Sequence, residues 1–368
     1  MKNEMAQAFL RVVLQSEVEE DEEAQAFHEI RKYFQSMARY KYDAYQQYAP
    51  GMKFIERFAL WLDQFNQEHR RTVLNFIKDR LVFISSDEMN SLVSSCFPDC
   101  IKQILIKDAS LLSKKSSYEI KGITESIEYK KLLKQSLFFG LSDGAKTDVF
   151  RRANAGIIMH DQIYQTYEMS AGRAVKMKED LHEELSMILG KNFPEDEGKF
   201  KNLFLLDDFS ASGSSYLVEK EGQLKGKISQ LFESIFGQKD GEKNKLHEIF
   251  DIENLNIHVI LYLCTSQADR QITSYFEKLQ KKYGKAPKMH HLHLIPDTFK
   301  VEGERDKIML EICGNPKYYD PKIQDKHTGL DKNIHLGYKD CALPLVLAHN
   351  CPNNSLAMLW SYDELEFT

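Results

Sequence analysis

Apolar residues recur at helical spacing through the first third of the chain. Phe27, Ile30, Phe34 and Met37 form one stripe, and after a break at Pro50-Gly51 a second follows with Ile55, Phe58, Leu62 and Phe65, Trp61 lying beside it. Phe83-Ile84-Ser85-Ser86-Asp87-Glu88 has the layout of a hydrophobic staple and capping box, Ser85 reaching forward and Glu88 back, so a further helix is expected after it. The period changes at Leu137-Phe138-Phe139-Gly140-Leu141, a short unbroken apolar run of the kind that forms a strand buried on both faces. From His160 to about Leu189 the spacing predicts one long amphipathic helix with Ile163, Tyr167, Leu181, Leu185 and Ile188 inward. Leu203 to Leu206 is the next buried strand, and 216–237 reads as a helix ending in a Gly/Lys-rich break. Ile257 to Cys264 is a third strand, and Thr265-Ser266-Gln267-Ala268 caps the helix after it; Met289 to Ile295 is a fourth, stopped by Pro296. Strands alternating with helices predict right-handed crossovers and a parallel sheet that binds ligands at the strands' C-terminal ends. The expected fold class is therefore α/β, a parallel-sheet domain over residues 126–368 preceded by an all-helical N-terminal domain over 1–125 that regulates or docks a partner.

Composition adjusts this picture little. A chain of 368 residues favours two domains, and 42% hydrophobic residues with 11% aromatics supply a sizeable core. A net charge of -6 gives no bulk attraction to nucleic acid or to an anionic membrane. The apolar piece near the N-terminus is too short, and too soon followed by acids, for a signal peptide, and no apolar run reaches membrane-spanning length. The acidic run Glu17 to Glu23 reads as a solvated helix face or a junction between helices. Six cysteines without paired CxxC spacing point to a reducing, cytoplasmic setting, and Cys96 and Cys100 read as packing residues. Of His290, His291 and His293, only the last two share a strand face, which favours solvent-facing or packing roles over a metal site.

The chemistry concentrates in KFKNLFLLDDFSASGSSYLVE, residues 199–219. A buried strand delivers two adjacent carboxylates, Asp207 and Asp208, and then a hydroxyl-rich bend, Ser210-Ala211-Ser212-Gly213-Ser214-Ser215, read as leading into a helix N-terminus. Backbone N–H groups and serine hydroxyls in such a bend can cradle a phosphate. Paired acids buried at a strand end need donors, which the neighbouring hydroxyls of a ribose provide. An ordinary strand with an acidic helix cap is the bland alternative.

This stretch resembles the PRPP-binding motif of type I phosphoribosyltransferases: four apolar residues, two acids, two variable residues, then small hydroxylic residues around a glycine. The resemblance implies a type I phosphoribosyltransferase-like domain. Asp207 and Asp208 would hold the ribose 2′- and 3′-hydroxyls, and Ser212, Gly213, Ser214 and Ser215 would wrap the 5′-phosphate, with Ala211 where the family often has threonine. Ser142, Asp143, Gly144 and Lys146, followed by Arg151 and Arg152, follow the first core strand, where the family binds pyrophosphate; the two arginines can equally be surface charges. The family's mobile hairpin is not evident between the long helix and the motif. Near the C-terminus His349, Asn350, Asn353 and Asn354 cluster around Pro352, able to read a base or brace the loop. With this ending the chain is similar to phosphoribosyltransferase-like proteins of bacterial conflict and antiphage loci, some beside retron reverse transcriptases. The resemblance implies Mg²⁺ carried with PRPP or a nucleotide, a ribose-phosphate ligand, and a partner protein or RNA–DNA complex; the apolar pattern and net charge add the expectation of no membrane, and a homo-oligomer is one option. The alternative function is an inactive ribose-phosphate sensor or scaffold subunit. A hydrolase of another kind lacks any nucleophile elbow, Walker motif or metal cluster in the sequence.

Overall fold

In the computed structural model the described residues are 21–165, 171–190, 193–237, 245–323 and 333–361. Nine strands lie among them: β1 (Val82–Ile84), β2 (Ser136–Gly140), β3 (Ile163–Tyr164), β4 (Asn202–Ser210), β5 (Val218–Lys220), β6 (Gln223–Lys225), β7 (Asn256–Thr265), β8 (Lys288–Ile295) and β9 (Leu345–Leu347). The chain forms two compact units, Met1–Glu88 with Pro296–Thr368, and Met89–Ile295. This division falls elsewhere than the 125/126 boundary expected from the pattern. Its physical basis is that the helices Lys102–Ser113, Ile120–Thr124 and Ile127–Lys134 pack on one another, and Ile127–Lys134 also on Ala171–Leu189, inside the sheet-bearing unit. The C-terminal residues meanwhile pair with the N-terminal ones.

In the discontinuous unit, the expected helices form over Asp21–Tyr40, Phe54–Asp63 and Gln67–Arg80, with the break at Gly51 in the left-handed region (φ +83°). Of the acidic run, residues 17–20 lie outside the described residues. The region is not wholly helical, because Val82–Ile84 pairs in parallel with Leu345–Leu347. The capping box is present: Ser85 N donates to Glu88 Oε2 (2.7 Å) and Glu88 N to Ser85 Oγ (3.2 Å). Phe34, Phe58, Phe65 and Tyr318 are buried in the core, and Trp61 Nε1 donates to the Met358 carbonyl at 2.7 Å.

The continuous unit carries a five-stranded sheet in the order β3-β2-β4-β7-β8 with every neighbouring pair parallel, as the alternating pattern predicts. Alternate side chains of β4 point to opposite faces. Leu203 and Leu205 join the core that contains Leu181, Leu231 and Ile272. On the other face Phe204 is stacked between Phe138 (5.3 Å) and His258 (4.9 Å), rings that the strand register brings into line. His258 Nδ1 lies 3.0 Å from His290 Nε2, and burial with that neighbour pushes His258 down to about 3, so it packs as a neutral ring. His290 is a packing residue in the same pair, and His291 and His293 are exposed. The six cysteines are free thiols, with Cys96 buried. Among the described residues no helix is long and apolar enough to cross a membrane.

Two helical expectations are corrected. The stretch from His160 is a short turn followed by β3, and the helix spans only Ala171–Leu189, because Ile163 and Tyr164 add a parallel edge strand against Phe138 and Phe139. Leu181 and Leu185 are buried as expected, and Tyr167 lies outside the described residues. After the motif, β5 and β6 form an antiparallel hairpin, and the helix waits until Lys227–Phe236. Glu221 (φ +55°) and Gly222 (φ +73°) supply the paired left-handed residues that a two-residue hairpin turn requires.

Gln162 ties the β3 edge to the sheet. Its Nε2 donates to the carbonyls of Leu133 (2.6 Å) and Ser136 (2.7 Å), and its Oε1 accepts from Met159 N (3.0 Å). Gln162→Ala removes all of these at a buried position and is expected to cost about 2 kcal/mol of unfolding free energy. Urea denaturation of variant and wild type checks this; unchanged midpoints would remove Gln162 from the account.

Candidate functional site

The order of the strands fixes where a site can form. From β2 the chain moves outward to β3 on one side, whereas β4, β7 and β8 follow one another outward on the other. The reversal lies between β2 and β4, so the loops after these two strands separate and open a crevice at their C-terminal ends. Those are the loops that carry Ser142 to Lys146 and Ala211 to Ser215.

Asp207 and Asp208 are consecutive on β4 and face opposite sides of the sheet, which gives them different surroundings. Asp207 is 1% exposed. Its Oδ1 accepts from the Ser142 hydroxyl, in a short contact, and from Asp208 N (3.1 Å); its Oδ2 accepts from Tyr216 OH (2.7 Å) and Lys227 Nζ (3.1 Å). Lys227 also lies over the Tyr216 ring at 5.3 Å. Burial and the Asp207 carboxylate hold the Tyr216 hydroxyl well above its ordinary range, which keeps it a donor. Asp208 is also buried, its Oδ1 accepting from Phe209 N at 2.8 Å. Burial, and then the neighbouring Asp207, raise Asp208 to about 6. Gly144 lies directly against it: a Cβ at that position would stand 2.4 Å from Asp208 Oδ2, so no other residue fits without displacing the acid.

Three carbonyls of the bend after β4 are engaged. Thr265 Oγ1 donates to Ala211 O (2.6 Å), Tyr216 N and Leu217 N donate to Gly213 O (3.1 and 3.2 Å), and Lys227 N donates to Ser215 O (3.1 Å). Gly213 adopts φ +76°, and a Cβ there would meet Ala268 O and Ile272 Cγ1 at 3.0 Å. The amides of Ser212, Gly213 and Ser215 have no acceptor among the described residues, and Ser214 N reaches only Ser212 Oγ at 3.4 Å. Successive donors with no internal use make a concavity suited to an anion. The bend leads into the hairpin instead of a helix, so an anion placed there would meet these amides and hydroxyls without the helix dipole that the sequence suggested.

The structure thus brings Asp207, Asp208 and residues 210–215 together with Ser142 and Gly144. Ser210 and Ala211 are buried supports, and Ser215 is exposed. Asp143 is exposed, Lys146 is half-buried at φ +46° where its loop turns into the helix Thr147–Ala153, and Arg151 is exposed on that helix. Arg152 pairs with Asp148 at 2.6 Å, one turn away, as surface charges do. Asn353 and Asn354 belong to the other compact unit, where Asn354 Nδ2 donates to Tyr338 O (3.1 Å) and Tyr338 N to Asn353 O (2.8 Å).

Sequence reasoning missed Tyr216 and Lys227 as partners of Asp207. One signal for Lys227 existed: a cation at a helix's first position opposes the helix dipole, which calls for a nearby carboxylate.

A family model described as PRTase-CE matches residues 58–367. The chain belongs to this family of phosphoribosyltransferase-like conflict effectors. No curated protein and no solved structure matches it. The family's match runs through both loops at the switch point and agrees with the resemblance drawn from the acid pair and hydroxyl-rich bend.

The raised Asp208 carboxyl has a sign that can be measured. Its folded value of about 6 exceeds the unfolded value of 3.8, so its favourable contribution is complete below pH 4 and is lost by about pH 6. Asp208→Asn is therefore expected to stabilise the protein at pH 7 to 8 by up to about 3 kcal/mol, with the gain shrinking to nothing near pH 4. Denaturation midpoints at both pH values test this, and a pH-independent difference would refute the assignment.

Proposed function

We propose that the chain binds PRPP, or a related ribose 5-phosphate nucleotide, at the β2/β4 switch point and transfers or cleaves at C1′ as an effector of bacterial antiphage defence. The observation that carries this reading is the pairing of a buried carboxyl, pushed up to about 6 by burial and its neighbour, with three unengaged loop amides at the open end of adjacent parallel strands. A phosphorylated pentose matches both halves: the amides of Ser212, Gly213 and Ser215 take the 5′-phosphate, and Asp208 accepts from a ribose hydroxyl.

Asp207 enters this scheme differently from its neighbour. With its oxygens already held by Ser142, Tyr216 and Lys227, it fixes the two loops relative to each other and supplies the negative field beside Asp208. In the reaction the bond from C1′ to the pyrophosphate oxygen breaks, its electron pair leaves with pyrophosphate, and a nitrogen acceptor or water donates a pair to C1′. The protein's contribution is orientation and charge stabilisation, with Lys146 and Arg151 as the cations on the pyrophosphate side. Asp143 and Asp208 have the donor chemistry for Mg²⁺, which when bound would neutralise charge on the pyrophosphate.

The occupancy of Asp207 also favours a second reading, a ribose-phosphate sensor that binds without turnover and acts through a partner protein or an RNA–DNA complex. Calorimetric titration with PRPP and a pyrophosphate-release assay separate the two. For the enzyme, wild type binds and turns over, and Asp208→Asn lowers turnover by about 100-fold or more. Gly213→Ala, whose Cβ would stand 3.0 Å from Ala268 O and Ile272 Cγ1 on a backbone at φ +76°, distorts the bend and is expected to weaken binding at least tenfold in either case. Binding without pyrophosphate or base release would select the sensor, and tight PRPP binding by Gly213→Ala would remove the loop from both.

A further inference from the structure

The discontinuous unit contains a cavity of about 560 Å³ that the phosphate site does not use. Its walls include Tyr45, Tyr48, Phe58, Trp61, Phe83 and Trp360. Phe83 is buried behind its neighbours, whereas Tyr45, Tyr48 and Trp360 are only partly covered, so ring surface is open to whatever enters. Tyr45 and Tyr48 stand edge to face at 5.1 Å, and Phe58 stacks on Trp61 at 5.8 Å. Trp360 is oriented by its Nε1, which donates to Ser355 O at 3.1 Å.

Polar groups converge on the same space. Gln47 is held at the rim by Nε2 donating to His349 O (2.8 Å), leaving its Oε1 as an acceptor; Arg57 lines the wall; Asn350 is exposed there, and its side-chain amide has no partner among the described residues. Aromatic walls with carboxamides and a guanidinium between them match the two properties of a heterocyclic base, a π face and a hydrogen-bonding edge. The volume fits a single small ligand.

We propose that this cavity is a second ligand site that binds the base of a nucleoside or mononucleotide, stacked on the partly covered tyrosine and tryptophan rings, with Asn350 and Gln47 on its edge. The site belongs to the discontinuous unit alone and does not depend on the phosphate-binding reading of Asp208 and residues 211–215.

The molecule carries its own reporter, since the chain has two tryptophans and both line the cavity. Full-length protein titrated with adenosine, guanosine, cytidine and uridine, with AMP as the phosphorylated arm and ribose 5-phosphate as the base-free control, is expected to show saturable tryptophan quenching by at least one base-bearing ligand and none by the control. Equal affinity for adenosine and AMP assigns the contact to the base alone, and tighter AMP binding adds Arg57 as a phosphate partner. Tyr48→Ala should weaken binding about tenfold. Asn350→Ala, at an exposed position that leaves the fold intact, should weaken it about fivefold. No saturable quenching by any base, equal quenching by ribose 5-phosphate, or unchanged affinity in Asn350→Ala overturns the proposal. So does a titration that shifts in Asp208→Asn, which would assign the bound ligand to the other site.

Discussion

The buried carboxylate of Asp207 is the contact on which the site's geometry depends. It draws in a hydroxyl from the loop after β2, a phenol from beyond the serine-rich bend, and an ammonium from the helix that follows the hairpin. A charge with 1% exposure persists only when such donors surround it, and removing one partner of a buried pair typically costs 3 to 5 kcal/mol. The requirement thus holds separate segments in one arrangement, and the open amides of residues 212, 213 and 215 are a by-product of where those segments meet. The neighbouring acid pays for this order: Asp208 is desolvated beside a fixed negative charge, the strained protonation equilibrium often found where a protein does chemistry.

Much of this was legible in the amino-acid order. The parallel sheet announced itself through short apolar runs at 137–141, 203–206 and 257–264, because strands covered on both faces need no polar alternation, whereas the edge strand β8 mixes histidines with apolar residues and leaves His291 and His293 exposed. The acid pair and the bend were legible for a chemical reason: adjacent carboxylates and glycine-serine clusters are costly unless a ligand or a turn needs them. Gly144 was legible only as part of a polar loop; its necessity comes from the Asp208 carboxylate packed over it, a contact between residues 64 positions apart.

Other features were hidden because tertiary contacts decided them. Ile163-Tyr164 has the composition of either state, and pairing with Phe138-Phe139 made it a strand. The hairpin at 218–225 was masked by an apolar start, Tyr216-Leu217-Val218, that suits the first turn of a helix equally well. Lys227 is 20 residues from the acid it neutralises. The unit boundary was illegible in principle from local pattern, since it depends on β1 finding β9 at the far end of the chain.

That last pairing has a consequence for biogenesis. Ile84 and Leu347 are roughly 260 residues apart, so the discontinuous unit closes only after the segment that carries β9 has left the ribosome. The unit spanning Met89–Ile295 has all its parts in one uninterrupted stretch and can mature during translation. Until the residues after Ile295 are made, the aromatic side chains of the helices over 34–80 lack Tyr318 and Met358, with which they share a core, and stay exposed to non-native association.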